Sequence, residues 1–176
     1  PFFVYNLPQL TQVEFFPPLM EKIRREVPTL QGLKHSAPDF SQIRAFADMG
    51  LTCFSGNGAF PLPALAMGAV GTIDAPLTLA PWHYAELFAA WEAGDLPRAR
   101  RLQDGVRKFV DLVWMFGAPA DVCKTVLSAR LGIDCGRSIP PVNRLTDEQR
   151  REVLRVAAAL GLTTRPGREM LSAANR

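Results

Sequence analysis

Short apolar runs alternate with longer amphipathic stretches along the first two-thirds of the chain. The short runs have the length of β-strands and cover residues 2–6, 32–35, 52–55 and 70–74. Between them, apolar residues recur at helical spacing over residues 17–26, 38–47 and 63–67. Strands separated by helices of this length predict an α/β fold, with a parallel sheet and right-handed crossovers.

After residue 74 the pattern becomes entirely helical. Helical spacing predicts four further helices, at about 82–93, 95–116, 119–132 and 146–160. The last of these opens on a capping sequence, Thr146 to Gln149, and closes at Gly161. We therefore expect three regions, which are a sheet-containing region at 1–80, a helical region at 81–162 and a polar tail at 163–176.

Four parallel strands form either a small open sheet or one half of an eight-stranded (βα)₈ barrel. A barrel of that kind typically takes about 250 residues, and at least roughly 200, whereas this chain has 176. The chain also begins inside a predicted strand. We expect either an open sheet or a barrel whose front half is absent from this chain.

The composition narrows the class of protein. The chain is 48% hydrophobic and 21% charged with a net charge of +3, which excludes a disordered chain and does not indicate a nucleic-acid partner. No run approaches the roughly 18 apolar residues of a membrane span, so no membrane partner is expected. The cysteines, Cys53, Cys123 and Cys135, form no C-x-x-C pair. Reduced thiols in a cytoplasmic protein are therefore expected.

Lys34 is the first candidate for chemistry. It is one of only 4 lysines, against 16 arginines, and it ends a predicted strand. The carboxyl ends of parallel strands are where α/β folds place their active sites. A lysine taken out of water there can attack a carbonyl carbon as a neutral amine. A solvated lysine at a strand end is the alternative.

Polar residues or glycines end the other predicted strands as well. Tyr5 could transfer a proton or be a core tyrosine. The run Phe54-Ser55-Gly56-Asn57-Gly58 allows either close approach of backbone to a ligand or a plain turn. Asp74 could bind a hydroxyl group or cap the next segment. His35 and His83 lack partners at ligand spacing, so no metal is expected.

Several of these segments resemble, in order and spacing, strands five to eight of the dihydrodipicolinate synthase/N-acetylneuraminate lyase family. The matching segments are Tyr5-Asn6-Leu7-Pro8, Gly32-Leu33-Lys34-His35-Ser36, Ser55-Gly56-Asn57 and Ala66-Met67-Gly68-Ala69-Val70-Gly71-Thr72-Ile73. The helical part is similar through Lys124, Gly132, Arg137-Ser138-Ile139-Pro140-Pro141 and the helix ending at Leu162. The resemblance covers about residues 2–162. It implies that residues 1–80 are the second half of a TIM barrel, followed by the family's C-terminal helices.

The resemblance also implies a chemistry. Enzymes of this family are usually homo-oligomers, form a Schiff base with pyruvate or another 2-keto acid, and require no metal or organic cofactor. By resemblance, Lys34 forms the imine and Tyr5 shuttles the proton. Gly56 and Ile73 line the pyruvate pocket, largely through their backbone. The implied activity is that of a class I lyase or aldolase, or of a dehydratase, acting on a pyruvate-derived 2-keto acid.

The substrate is where the sequence departs from both named branches of the family. Dihydrodipicolinate synthases usually have an arginine where this chain has Leu10, and leucine cannot replace a bidentate guanidinium. Sialic acid lyases have hydrogen-bonding side chains at positions that match Gly58, Ala59 and Ala75. We therefore expect a different 2-keto acid, with Asn57 and Asp74 among the substrate-binding residues. Either named activity is the alternative.

The family's Gly-Thr-Thr-Gly-Glu-type loop, which holds the pyruvate carboxylate, has no match in this chain. We therefore expect a fragment: a truncated chain, a cleaved protein or one half of a split enzyme, inactive or weakly active alone. Two other possibilities stay open. One is a non-catalytic half-barrel that self-associates or binds the missing N-terminal half, and the other is a small α/β module of unrelated function.

Overall fold

The computed structural model describes residues 1–164 of the chain. The strands are β1 (Phe2–Asn6), β2 (Leu30–His35), β3 (Thr52–Ser55) and β4 (Gly71–Thr72). The helices are α1 (Pro8–Thr11), α2 (Pro17–Glu26), α3 (Gln42–Asp48), α4 (Pro61–Ala66), α5 (Pro76–Leu79), α6 (Pro81–Glu92), α7 (Leu96–Trp114), α8 (Pro119–Leu131) and α9 (Asp147–Ala159).

The chain folds as two compact units, and the division falls between Asp74 and Ala75. The first unit contains the whole sheet and the second contains α5 to α9. Residues 165–176, which make up most of the predicted polar tail, lie outside the described residues. Within residues 1–164, none of the helices combines the length and apolar character that crossing a membrane requires.

The four strands of the first unit form one parallel sheet in the order β1-β2-β3-β4. This confirms the predicted α/β fold with a parallel sheet. The pairing places Tyr5 opposite Lys34 and Lys34 opposite Phe54. Because side chains alternate between the two faces of a strand, these three residues share one face of the sheet.

The opposite face is the buried one. Its strand residues Val4, Leu33 and Cys53 are each at most 9% exposed. The helices cover this face with apolar side chains that belong to the same core cluster, namely Met20, Ile43, Phe46 and Ala64. Full burial of a side chain such as leucine or phenylalanine stabilises a fold by about 1.5–3 kcal/mol. This layer therefore holds the strands in register.

The face that carries Phe3, Tyr5, Lys34 and Phe54 is called the open face here. Phe3 and Tyr5 are exposed, at 40% and 46% of their surface. The rings of Phe3 and Phe54 contact each other at a centroid distance of 5.9 Å. A Cβ atom on Gly32 of β2 would overlap the carbonyl oxygen of Thr52 and stand only 2.8 Å from Cε1 of Phe3. The close approach of β2 to its neighbours therefore requires glycine at this position.

Some elements of the first unit differ from their predicted bounds. The strand expected at 70–74 is regular only at Gly71–Thr72, although Val70 and Ile73 continue the ladder by donating to carbonyls of β3. The helix expected from residue 38 begins at Gln42, because the Asp39 carboxylate accepts from the backbone N–H of Ser41 and forms a turn first.

Helices α1 and α5 were not predicted. Each is four residues long and begins at a proline soon after a strand, Pro8 and Pro76. Proline is favoured in the first turn of a helix, but a single turn is too short to show helical periodicity. The longer helices α6 to α9 fall within two residues of their predicted bounds.

In the second unit, α6 and α7 approach closely at Gly105. The His83 ring of α6 donates from Nε2 to the carbonyl oxygen of Leu102, at 2.7 Å, and meets the Phe109 ring edge-on. A Cβ atom on Gly105 would lie 2.6 Å from that imidazole. The glycine inside the helix therefore makes room for His83.

A buried carboxylate ties the segment after α8 to that helix. Asp121 of α8 is fully buried and accepts from the guanidinium of Arg137 at 3.0 Å. It also accepts from the backbone N–H groups of Ser138 and Leu145, at 2.8 and 2.9 Å. Burial alone would raise the pKa of Asp121, but these hydrogen bonds outweigh burial and lower the pKa to about 2. The charged carboxylate is therefore the form that stabilises this unit.

We predict that Asp121→Asn lowers the free energy of unfolding by about 2–3 kcal/mol at pH 7, because it removes the charged acceptor that binds Arg137 and the backbone N–H groups of Ser138 and Leu145. Urea unfolding of the full chain measures this loss. The carboxylate's contribution is complete above its ordinary pKa of 3.8 and falls as the pH drops toward 2. The variant should therefore approach the wild type in stability across that window.

The matched control is Asp111→Asn in α7, since the Asp111 side chain is 70% exposed. This change should alter the free energy of unfolding by no more than about 0.5 kcal/mol. An Asp121→Asn variant that behaves like the Asp111 control at pH 7 would contradict the role given to the buried carboxylate.

Candidate active site

Lys34 and Tyr5 lie side by side on the open face. The parallel pairing of β1 and β2 sets them directly opposite each other near the carboxyl ends of both strands. The Nζ atom of Lys34 is 4.0 Å from the centroid of the Tyr5 ring, which is within the range of a cation–π contact. Lys34 is half-buried, whereas the Tyr5 side chain is exposed. An amine and a phenol therefore share one place on the sheet.

Ser36 joins this pair from the end of β2. Its hydroxyl donates to the Tyr5 hydroxyl oxygen at 3.4 Å. Its backbone N–H donates to the carbonyl of Asn6, and its own carbonyl accepts from the side chain of Gln9 at 2.8 Å. Ser36 was not singled out in the sequence. Its signal was its position two residues after Lys34, because side chains two apart along a strand point the same way.

The backbone of Gly56 lies against Lys34. The N–H of Gly56 donates to the carbonyl of His35 at 2.7 Å. A Cβ atom at this position would overlap the Ser36 hydroxyl and lie 2.9 Å from Cε of Lys34. Only glycine fits this close approach. The loop after β3 thereby presents backbone rather than a side chain to the amine.

The next residues of this loop are ordered by polar contacts. The Ser55 hydroxyl accepts from the N–H of Asn57 at 3.2 Å, and the Asn57 amide oxygen accepts from the N–H of Ala59 at 3.1 Å. The N–H of Gly58 donates to a carboxylate oxygen of Asp74 at 2.6 Å. The two roles considered for Asp74 from sequence were substrate binding and capping of the next segment. The structure adds a third, since Asp74 holds the loop of the neighbouring strand.

Two apolar residues were also candidates for the substrate site, Ile73 and Leu10. Ile73 follows β4, donates its N–H to the carbonyl of Ser55 at 2.9 Å and is 46% exposed. Leu10 belongs to α1 and is 77% exposed. Its side chain is therefore mostly in solvent in this structure.

A buried polar pair lies behind Lys34 and Tyr5. Asn6 and His35 each follow one of the two candidates along the chain, and both are at most 2% exposed. The Asn6 amide donates to Nδ1 of His35 at 3.2 Å, and it exchanges two hydrogen bonds with the backbone of Phe15. Nε2 of His35 donates to the carbonyl of Asp39 at 3.0 Å. These partners assign the neutral Nε2–H tautomer and fix the loops that follow β1 and β2.

The environment of His35 disfavours its protonation. Burial lowers the pKa of His35 below its usual 6.5, against smaller opposing effects of the Asp39 carbonyl, Glu14 and the Asp39 carboxylate. A protonated ring would also carry a hydrogen on Nδ1, which would face the donating amide of Asn6. Neither residue was expected from the sequence to form this pair, although both stand in the quoted segments.

We predict that the chain loses stability as the pH falls from 7.5 to 5.5. The unfolded histidine gains a proton near pH 6.5, whereas the folded His35 stays neutral to a lower pH, so acidification favours unfolding. Thermal unfolding at the two pH values measures the effect. A His35→Gln variant should show a smaller decline over the same window, and an equal decline in both proteins would contradict this assignment.

A cavity opens next to Ser36 and Asn57. Its volume of about 490 Å³ lies in the range of small-molecule sites. It is reached from the carboxyl ends of β1, β2 and β3, the end of the sheet at which Lys34 and Tyr5 stand.

Other nucleophiles and metal ligands are poorly placed. Among residues 1–164, no group of three or more His, Cys, Asp or Glu side chains could hold a metal ion. Cys53, Cys123 and Cys135 are free cysteines. Burial raises the pKa of the Cys53 thiol to about 12, so this thiol is not a nucleophile at neutral pH. Lys34 is therefore the strongest candidate nucleophile on the sheet.

Comparison with known proteins finds one family. The model of the dihydrodipicolinate synthetase family matches residues 1–160. A curated 4-hydroxy-tetrahydrodipicolinate synthase of Thermus thermophilus is 32% identical over 165 residues, which are 92% of this chain and 54% of that protein. This chain spans about half the length of the curated relatives it matches.

Solved structures show the same fold. A sialic acid aldolase of Ruminococcus gnavus superposes with a TM-score of 0.84 at 25% identity, covering 92% of this chain and 55% of that one. A dihydrodipicolinate synthase of Aquifex aeolicus superposes with a TM-score of 0.81 at 24% identity, covering 94% and 57%. The second likeness is evidence of fold alone.

Proposed function

This chain belongs to the dihydrodipicolinate synthetase family, and we propose that it carries the reacting groups of a class I, Schiff-base-forming lyase or aldolase. The observation that carries the proposal is the contact between Lys34 and Tyr5, at 4.0 Å from amine to ring centre, at the carboxyl end of a parallel sheet. The family membership supports a pyruvate-dependent reaction. A closely related possibility is a dehydratase activity that proceeds through the same imine.

Lys34 supplies the nucleophile. Its neutral amine attacks the ketone carbon of pyruvate or another 2-keto acid, and water leaves as the iminium forms. The iminium accepts electrons, so a proton at C3 becomes acidic and its loss gives an enamine. In the direction of cleavage, the C3–C4 bond breaks to the same enamine. Hydrolysis of the final iminium returns Lys34 and consumes the water that was released.

Tyr5 handles the proton. Its phenol lies beside the amine and receives a hydrogen bond from Ser36, so it can give its own proton to the hydroxyl that leaves as water when the iminium forms. The resulting phenolate then takes a proton from C3 and returns it to an alkoxide. Ser36 is the positioning residue for Tyr5, because its hydroxyl and both backbone polar groups are engaged in hydrogen bonds.

The remaining candidates act on the substrate. Gly56 and Ile73 are proposed to line the pyruvate site through their backbone, and Asn57 to face the substrate from the exposed part of its loop. For Asp74 the proposal is indirect substrate contact, since its carboxylate already accepts from Gly58. Leu10 takes the place of an acid-binding arginine in the resemblance, which disfavours a carboxylated acceptor.

We also propose that the open face is covered by further strands, so that this sheet is half of an eight-stranded barrel within a homo-oligomer. The exposure of Phe3 and Tyr5 supports this, because such aromatic surface is otherwise an association hazard. Among the described residues, β1 and β4 each pair on one side only, which leaves two edges for added strands. A sheet that merely self-associates through this face is the non-catalytic alternative.

We predict that borohydride reduction in the presence of pyruvate adds the mass of one trapped pyruvate to the wild-type chain. Lys34→Ala should abolish the addition, because among residues 1–164 the amine in contact with the Tyr5 ring is that of Lys34. The matched control is Lys22→Ala, which removes an exposed lysine of α2 and should leave trapping unchanged. Intact-protein and peptide mass spectrometry give both readouts.

The same trapping applied to a full-length family member provides the positive reference. A wild-type chain that stays unmodified under conditions that trap the reference would favour the non-catalytic alternative. Slower trapping than in the reference, with loss on Lys34→Ala, is the result expected for an incomplete barrel.

We predict that Tyr5→Phe separates imine formation from proton transfer. Trapping of pyruvate at Lys34 should persist, since the phenol is not the nucleophile. Exchange of the pyruvate methyl protons with D₂O, followed by proton NMR, should slow by about 100-fold or more. Equal exchange rates in wild type and variant would remove Tyr5 from the proposed mechanism.

A further inference from the structure

The cavity beside Ser36 differs in chemistry from the reacting centre. Its walls are formed by the segments that follow β1, β2 and β3, including residues of α1 and α4. They include the rings of Phe40 and Phe60 and the prolines Pro38 and Pro63. None of its lining residues in the described part of the chain is charged. The cavity is therefore suited to binding an apolar group about as large as an aromatic ring.

The two phenylalanines form an aromatic wall. Their ring centroids are 6.3 Å apart, and the rings meet edge to face with an interplanar angle of 72°. Phe60 is 50% exposed, so a large part of its ring is available to a ligand. Aromatic rings prefer such edge-to-face and offset contacts, which a further ring can extend.

Polar groups at the inner end of the cavity connect it to the reacting centre. The Ser36 hydroxyl lines the cavity and donates to the hydroxyl oxygen of Tyr5. Asn57 also lines it and follows Gly56, whose backbone lies against Lys34. A molecule with one polar end toward Ser36 and an apolar body toward Phe60 would present its polar end to the enamine.

We propose that this cavity takes the substituent of the acceptor aldehyde, and that the acceptor class is an uncharged aldehyde with an aryl or other ring-sized apolar group. This rests on the function proposed above. The enamine carbon C3 attacks the aldehyde carbon, the C=O π electrons move to its oxygen, and Tyr5 returns the proton taken from C3. Water then hydrolyses the iminium and releases a 4-hydroxy-2-oxo acid, so one pyruvate and one aldehyde give one product.

The same lining residues disfavour two other classes of acceptor, carboxylated aldehydes and polyhydroxylated aldehydes. A carboxylated aldehyde would enter without a cation to replace its water, because Leu10 points to solvent and the lining is uncharged. A polyhydroxylated aldehyde needs several polar partners, but most of the lining residues have no side-chain hydrogen-bonding group, namely Ala37, Pro38, Phe40, Phe60 and Pro63. Transfer of an apolar ring from water into this cavity is favourable, because the ring buries its surface against Phe40 and Phe60.

The experiment uses 4-fluorobenzyl alcohol, an unreactive analogue of an aryl aldehyde, with the full chain. Fluorine NMR titration gives its affinity, and amide shifts in ¹⁵N spectra locate the site. We expect shifts at Ser36, Asn57 and Phe60, and about tenfold weaker binding in Phe60→Ser. The matched control is Phe16→Ala, which removes a phenylalanine of similar exposure, 48%, outside the cavity and should leave the affinity unchanged.

Glycerol and succinate serve as probes of the polyhydroxylated and carboxylated classes. Neither should shift these amides at concentrations that saturate the aryl probe. Equal shifts by either probe, no shifts by the aryl alcohol, or unchanged affinity in Phe60→Ser would each overturn the inference.

Pyruvate trapping keeps this test separate from that of the proposed function. Phe60→Ser should still trap pyruvate at Lys34, because Phe60 lies outside the reacting centre. Trapping without aryl binding overturns the acceptor class alone. A wild-type chain that binds the aryl probe but never traps pyruvate overturns both the proposed function and the acceptor role of the cavity.

Discussion

The parallel pairing of β1 with β2 is the constraint on which the rest of the site depends. It sets Tyr5 opposite Lys34, and a slip of one residue would turn one of the two side chains into the helix-covered face. The register is held from behind, where Val4 and Leu33 are buried in the core of the first unit. The packing of the buried face thus decides the chemistry of the open one.

Buried and backbone contacts then fix the loops around that pair. The Asn6–His35 hydrogen bond ties the ends of β1 and β2 together, directly beside Tyr5 and Lys34 along the chain. The carboxylate of Asp74 does the same for the loop after β3 through the N–H of Gly58. A site built in this way keeps its amine and phenol in place with few contacts to those two side chains themselves.

Much of this arrangement could be predicted from the sequence. Alternating apolar runs indicated the parallel sheet, and the strand ends indicated Lys34, Tyr5 and Asp74. The pairing of Asn6 with His35 could not be predicted from the sequence. The two residues are 29 positions apart, and their contact depends on the register between β1 and β2. The role of Asp74 as a loop anchor was hidden for the same reason. The apolar cavity could not be predicted either, because Phe40 and Phe60 lie in separate segments and come together only in the folded chain.

Lys34 is proposed to form an imine with a 2-keto acid on the open face of this sheet. A crystal structure of the chain soaked with pyruvate measures it most directly. We predict continuous density from Nζ of Lys34 to the ketone carbon of pyruvate, with the Tyr5 hydroxyl within hydrogen-bond distance. Pyruvate bound elsewhere, or an unmodified Lys34 in a crystal saturated with pyruvate, would contradict the claim.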